Sequence, residues 1–125
     1  MRSPVNELPL EMQVGEIETR GVDWGDQLVR HIDLPAGTDF TPLFVGLPGN
    51  MCQCPHWGYV LSGRLAFRYA GGEEVFEAGD AFYTPPGHAP VVREAGTEFV
   101  MFSPADELKV TEDVMMRNMA AMQAG

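Results

Sequence analysis

At 125 residues the chain is the size of one ordinary domain, long enough to build a core without a disulfide framework. Its 45% hydrophobic content argues against disorder, and 14 glycines with 10 prolines favour many short strands and turns. A formal net charge of −10 disfavours DNA, RNA and anionic membranes as partners, because such a surface repels phosphate.

The residues from Met1 to Glu7 carry no apolar stretch with a cleavage pattern, so no secretory signal is expected. No run of about 18 apolar residues offers a membrane span. A cytoplasmic protein with reduced cysteines and a small-molecule ligand is the expectation.

In chain order, residues 1–10 read as a loose arm. Strands are expected over 12–18, 27–33 and 41–47, punctuated by Gly15, Gly21, Gly25 and the Pro35-Ala36-Gly37 turn. Pro42 makes the third of these an edge strand or a loop. Residues 57–61 form the next strand and end at Ser62-Gly63. In the following segment Leu65, Phe67 and Tyr69 alternate with Arg64, Ala66 and Arg68, the period of a strand with one apolar face. Ala70-Gly71-Gly72 turns the chain into 73–77, and Ala78-Gly79-Asp80 turns it again into 81–84. After Pro85-Pro86-Gly87, residues 91–93 and 98–102 complete the set. Short strands at such even spacing predict a sandwich or barrel over 11–103. Residues 104–125 read as a helical segment, with Ser103 as N-cap, Pro104 at its first position, Asp106 and Glu107 in its first turn, and a second start at Thr111. Val114, Met115, Met119 and Met122 recur near helical spacing, a face to pack on the barrel or on a second copy.

Cys52-Gln53-Cys54-Pro55-His56 carries the strongest chemical signal. On a regular strand alternate side chains leave on one face, so Cys52, Cys54 and His56 would converge. Two thiolates and an imidazole suit zinc, with iron second. A Cys52–Cys54 disulfide competes, but two strand residues span about 6.6 Å with diverging side chains. Plain burial of the two thiols as small hydrophobes, or redox use, are the other readings. His88 joins the set if the fold carries it across to this strand. His31, beside Arg30 and Asp33, reads as structural or surface.

These residues resemble the cupin superfamily between Pro48 and Pro104. The segment Tyr59-Val60-Leu61-Ser62-Gly63-Arg64-Leu65 is similar to the end of the family's first motif. Gly79, Pro85 and Gly87 keep the register of its second motif. The resemblance implies an all-β jelly-roll barrel (a double-stranded β-helix) with a metal inside and a short C-terminal helix. The family's usual ligands are two His and a Glu in the first motif and a His in the second. Here His56 stands at the Glu position, the His pair falls near Asn50 and Cys52 or, with a shortened spacing, on Cys52 and Cys54, and His88 lies two residues before the position of the last His. This sulfur-rich set disfavours magnesium, calcium and manganese.

The expected site is therefore a divalent ion held by Cys52, Cys54, His56 and His88, with Trp57, Tyr59, Phe67, Tyr83, Phe99 and Met101 as candidates to line a pocket around it. Four ligands would make the ion structural, and three would leave a position for chemistry. The function follows as a small metalloenzyme acting on a small polar organic molecule, a non-catalytic binding or sensing module, or a metal-free ligand-binding barrel. Pairing into a homodimer is expected.

Overall fold

The computed structural model describes residues 1–124. Nine strands run in chain order: β1 (Leu10–Val14), β2 (Ile17–Trp24), β3 (Gln27–Leu34), β4 (His56–Ser62), β5 (Arg64–Tyr69), β6 (Gly72–Glu77), β7 (Ala81–Thr84), β8 (Ala89–Val91) and β9 (Thr97–Pro104). A single helix, α1 (Ala105–Ala124), follows. The strands form a six-stranded sheet in the order β1-β2-β3-β9-β4-β7 and a three-stranded sheet in the order β6-β5-β8. Every pairing is antiparallel, and the two sheets build a jelly-roll barrel, in line with the sandwich or barrel that the strand spacing predicts and the jelly roll that the resemblance implies.

The inward positions explain the closure. Val60, Leu65, Phe67, Phe76, Phe82 and Phe99 pack into one buried cluster between the sheets. A second cluster, with Phe44, Leu47, Cys52, Cys54, Ala89 and Leu108, lies where α1 covers the barrel end. Phe76 and Phe82 stack with ring centroids 5.1 Å apart, and Phe67 lies 5.7 Å from Phe82. Such aromatic pairs add about 0.5–1.5 kcal/mol each beyond their burial.

The first third of the chain departs from its sequence reading. Residues 12–18 are not one strand: Gly15, at φ +58°, opens a two-residue turn that joins β1 to β2. Gly21 lies inside β2 rather than ending it. Residues 41–47 are not a strand either, because Thr41–Phe44 form a 3-10 turn with Pro42 in its first positions. The arm is partly docked: Val5–Glu7 make a 3-10 turn against β2 and β3, and Leu8 is buried.

The C-terminal reading also changes in detail. β9 continues through Ser103, and α1 runs without a second start at Thr111. Leu108 and Thr111 are the buried residues of α1, with Val114 and Met115 packed beside them, while Met122 is exposed. Asn118 Nδ2 donates to the carbonyls of Leu43 (2.7 Å) and Val45 (2.8 Å), which ties the helix to the 41–44 turn. Among the described residues no helix is long and apolar enough to cross a membrane.

Candidate metal centre

A backbone bridge assembles the site. Cys52 N–H donates to the His88 carbonyl at 2.8 Å, and Gly87 N–H donates to the Cys52 carbonyl at 2.8 Å. Two segments far apart in sequence are thereby held side by side. Gly87 has φ +91°, a conformation that glycine alone adopts freely, so the loop before His88 depends on it. His56 is the first residue of β4 and points inward, because Trp57 after it points out.

One ligand atom each from Cys52, His56 and His88 lies within 4.8 Å of the others, and all three residues are buried. Cys52 Sγ stands 3.7 Å from His56 Nε2. Two such atoms on one tetrahedral zinc would be about 3.6 Å apart, from bond lengths near 2.3 and 2.05 Å. The outer ring nitrogens are held from behind. His88 Nδ1 donates to the Pro85 carbonyl at 2.7 Å, which leaves Nε2 with its lone pair. That Nε2 is buried and has no hydrogen-bond partner. His56 Nδ1 pairs with Ser103 Oγ at 2.7 Å. Ser103, expected as a helix cap, instead orients this imidazole.

The electrostatics favour neutral imidazoles and an uncharged thiol until a cation arrives. Burial holds His56 well below its ordinary value, with His88 and then Arg30 acting in the same direction. Burial also lowers His88. Burial raises the Cys52 thiol, outweighing the backbone contact with Cys54 and the Thr111 hydroxyl. A buried thiolate with two lone-pair nitrogens fits a divalent ion, which would compensate its charge.

Cys54 is not brought into this group. The chain from Cys52 to Pro55 is irregular rather than a strand, so the alternation that would align Cys54 does not operate. Its Sγ turns to the carbonyls of Pro55 (3.5 Å) and Pro104 (3.9 Å), and burial pushes its thiol up to about 12. Both cysteines are free, so the disulfide reading falls away.

A cavity of about 400 Å³ opens beside the three residues. Phe67, Phe99 and Met101 line it. Trp57, Tyr59 and Tyr83 do not: they stand on the outer face, 47%, 44% and 49% exposed. Strand parity gives the reason, because Trp57 and Tyr59 alternate with inward His56 and Val60, and Tyr83 pairs with Trp57.

Sequence reasoning missed the charged wall of the cavity. Arg30 on β3 pairs with Glu11 (Nε–Oε1 2.8 Å) and with Glu112 of α1 (Nη1–Oε2 3.0 Å). Arg30 shares β3 with Gln27, His31 and Asp33, so it did not stand out, and partners 19 and 82 residues away leave no local trace. His31 is buried on β3 and pairs with Glu98 at 2.8 Å, away from this group.

A cupin-domain family model matches residues 53–102. Among curated proteins no sequence match was found. Three solved structures are similar in fold. An RmlC-like cupin from Shewanella frigidimarina has 21% identity and TM-score 0.57, covering 82% of this chain and 89% of that one. A predicted oxalate decarboxylase from Thermotoga maritima has 20% identity and TM-score 0.60, covering 83% and 98%. The polyketide cyclase RemF from Streptomyces resistomycificus has 19% identity and TM-score 0.59, covering 84% and 79%. At these identities the likeness is one of fold. The two closed sheets, the cupin-domain match over residues 53–102 and these neighbours agree that the chain has the cupin jelly-roll fold.

Proposed function

We propose that Cys52, His56 and His88 bind one divalent ion, zinc first and iron second, and that the protein is a small metalloenzyme acting on an organic molecule held in the adjoining cavity. The observation that carries this reading is the buried, unpartnered Nε2 of His88, aimed into the volume shared with Cys52 and His56. A buried nitrogen without a partner costs about 1–3 kcal/mol, a penalty that a bound ion removes.

Three protein ligands favour chemistry over a purely structural role, because a structural zinc site has four. The ion would supply Lewis acidity toward a carbonyl or hydroxyl oxygen. The chain's own residues do the rest. Ser103 and the Pro85 carbonyl fix the two rings, Phe67 packs edge-on against His88 with centroids 5.2 Å apart, and Leu108, Thr111 and Met115 of α1 wall the cavity.

Cobalt substitution tests the reading. The purified protein should hold one ion per chain, and its cobalt form should change its visible spectrum when azide is added. A four-coordinate spectrum indifferent to azide would favour the non-catalytic alternative, a metal-stabilised binding module. Absence of bound metal in protein never exposed to chelator would remove the site.

The homodimer expectation gains a surface. Tyr83, Trp57 and Phe102 stand side by side on β7, β4 and β9, all at least 40% exposed, with Tyr59 beside them. Two copies carrying net charge −10 repel, so pairing needs an uncharged face such as this one. Sedimentation equilibrium should give a dimer at micromolar concentration and a monomer for Trp57→Glu; a monomeric parent protein would refute it.

A further inference from the structure

We infer that the cavity takes a neutral, largely apolar, ring-containing molecule with one oxygen toward Cys52, His56 and His88, in preference to a carboxylate or a free sugar. This deepens the metal-site reading and rests on it for the placement of that oxygen. The shape and charge of the walls carry the remainder.

Arg30 is the one Lys or Arg among the described residues that line the cavity. An anionic substrate would need it, and it is already engaged. Four hydrogen bonds run from its guanidinium to two carboxylates: Nε and Nη2 to Glu11 (2.8 and 3.3 Å), Nη1 and Nη2 to Glu112 (3.0 and 3.2 Å). A guanidinium has five N–H donors, so one is left, flanked by two negative groups. Glu11, Glu112 and Arg30 sum to −1, so this wall offers an incoming carboxylate no free cation, and only the ion at Cys52, His56 and His88 would attract it.

The backbone is built to hold this arrangement. The pairing of β1 with β2 shifts between Leu10 and Met12, so Glu11 is the extra residue of a bulge. Gly21, which pairs with Arg30, leaves the space its carboxylate needs: a Cβ there would come within 2.5 Å of Glu11 Oε1. The bulge at Glu11 and the open space at Gly21 thus accommodate the pairing of Glu11 with Arg30.

The rest of the lining excludes a sugar. Phe40, Phe44, Phe67, Phe99, Met101 and Leu108 face the cavity, and outside the charged trio and the three candidate ligands the hydroxyls of Thr19 and Thr111 are its only polar side chains among the described residues. A free sugar would bury hydroxyls without partners, each at a cost of about 1–3 kcal/mol. The volume of about 400 Å³ suits a molecule of two fused rings at the small end of ligand pockets. Met115 and Met116 on α1 add side chains that adapt to ligand shape.

The test uses three probes on the whole zinc-loaded protein: naphthyl methyl ketone, naphthoate and xylose. Zinc content is measured on the same sample. The ketone should bind and shift the Met101 and Met115 methyl resonances, with naphthoate at least about tenfold weaker and xylose not bound. Glu112→Gln should narrow the ketone–naphthoate gap by about tenfold, since it removes one of the two repelling charges. Naphthoate binding as tightly as the ketone overturns the inference. So does xylose binding, failure of the ketone to bind, or ketone binding without movement of those methyls. Ketone binding in a sample that holds no zinc supports the cavity inference and sinks the metal reading; zinc uptake without ketone binding does the reverse.

Discussion

His88→Ala is expected to lower zinc affinity by more than about 100-fold, whereas Cys54→Ser leaves one ion bound per chain. The contrast follows from position. His88 is tied by its backbone to Cys52 and by Nδ1 to the Pro85 carbonyl, so its free Nε2 is fixed in the shared volume. Structural zinc sites contribute about 10–16 kcal/mol through four ligands, so loss of one ligand of three removes several kcal/mol. Cys54 is equally buried and also sulfur, but its Sγ faces the carbonyls of Pro55 and Pro104. Competition with a chromophoric chelator reads both variants directly. Equal loss in Cys54→Ser and His88→Ala would restore the four-ligand site and close the position that the proposed chemistry needs. Circular dichroism of each metal-free variant separates loss of a ligand from loss of the fold.

The sequence was most readable where local pattern decides structure. From Trp57 onward, alternation and glycine turns place β4, β5, β6 and β7 within a residue or two. In β4 and β7 burial falls on every second residue, whereas β5 buries Leu65, Ala66 and Phe67 together and β6 buries Phe76 alone, so the glycine turns carry more of the signal there. The same rule misled at Cys54. Parity holds only while the chain is a strand, and β4 begins at His56, after Pro55. It also misplaced Trp57, Tyr59 and Tyr83, because aromatic residues beside a ligand suggest a pocket while parity sends them outward. The β1–β2 hairpin leaves little trace in the sequence, because a two-residue turn needs no more than Gly15 and its neighbour. The Glu11–Arg30–Glu112 wall was invisible for a different reason. It joins three distant elements, and its existence depends on a bulge in β1 and a gap at Gly21 that no local pattern announces. The candidate site lies between these extremes: its residue types were plain, but bringing His88 beside Cys52 depends on one backbone bridge between residues 52 and 88.

Gly58→Ala is expected to destabilise the protein by roughly 3 kcal/mol, at the upper end of the cost of overpacking a core. Gly58 faces inward on β4 opposite Phe82, and the ring of Phe82 occupies the space a side chain would take. A Cβ there would run into Phe82 Cζ and Cε2 and also into the Val100 carbonyl of β9. Neither neighbour yields easily. Phe82 stacks on Phe76 and packs against Phe67 and Phe99, and Val100 sits in β9, which pairs on both sides with β3 and β4. For a domain of this size the loss corresponds to a fall in Tm on the order of 10 °C. Gly71→Ala is the matched control, since nothing lies within 4 Å of a Cβ built there. Differential scanning calorimetry of the metal-free proteins should place Gly58→Ala far below the parent and Gly71→Ala beside it. The site should weaken with the core, because Phe67 touches both Phe82 and His88 and a displaced Phe82 is felt at the imidazole. Full stability in Gly58→Ala would mean that β4 and β9 can separate without cost, and the barrel wall behind His56 would then be far softer than its packing implies.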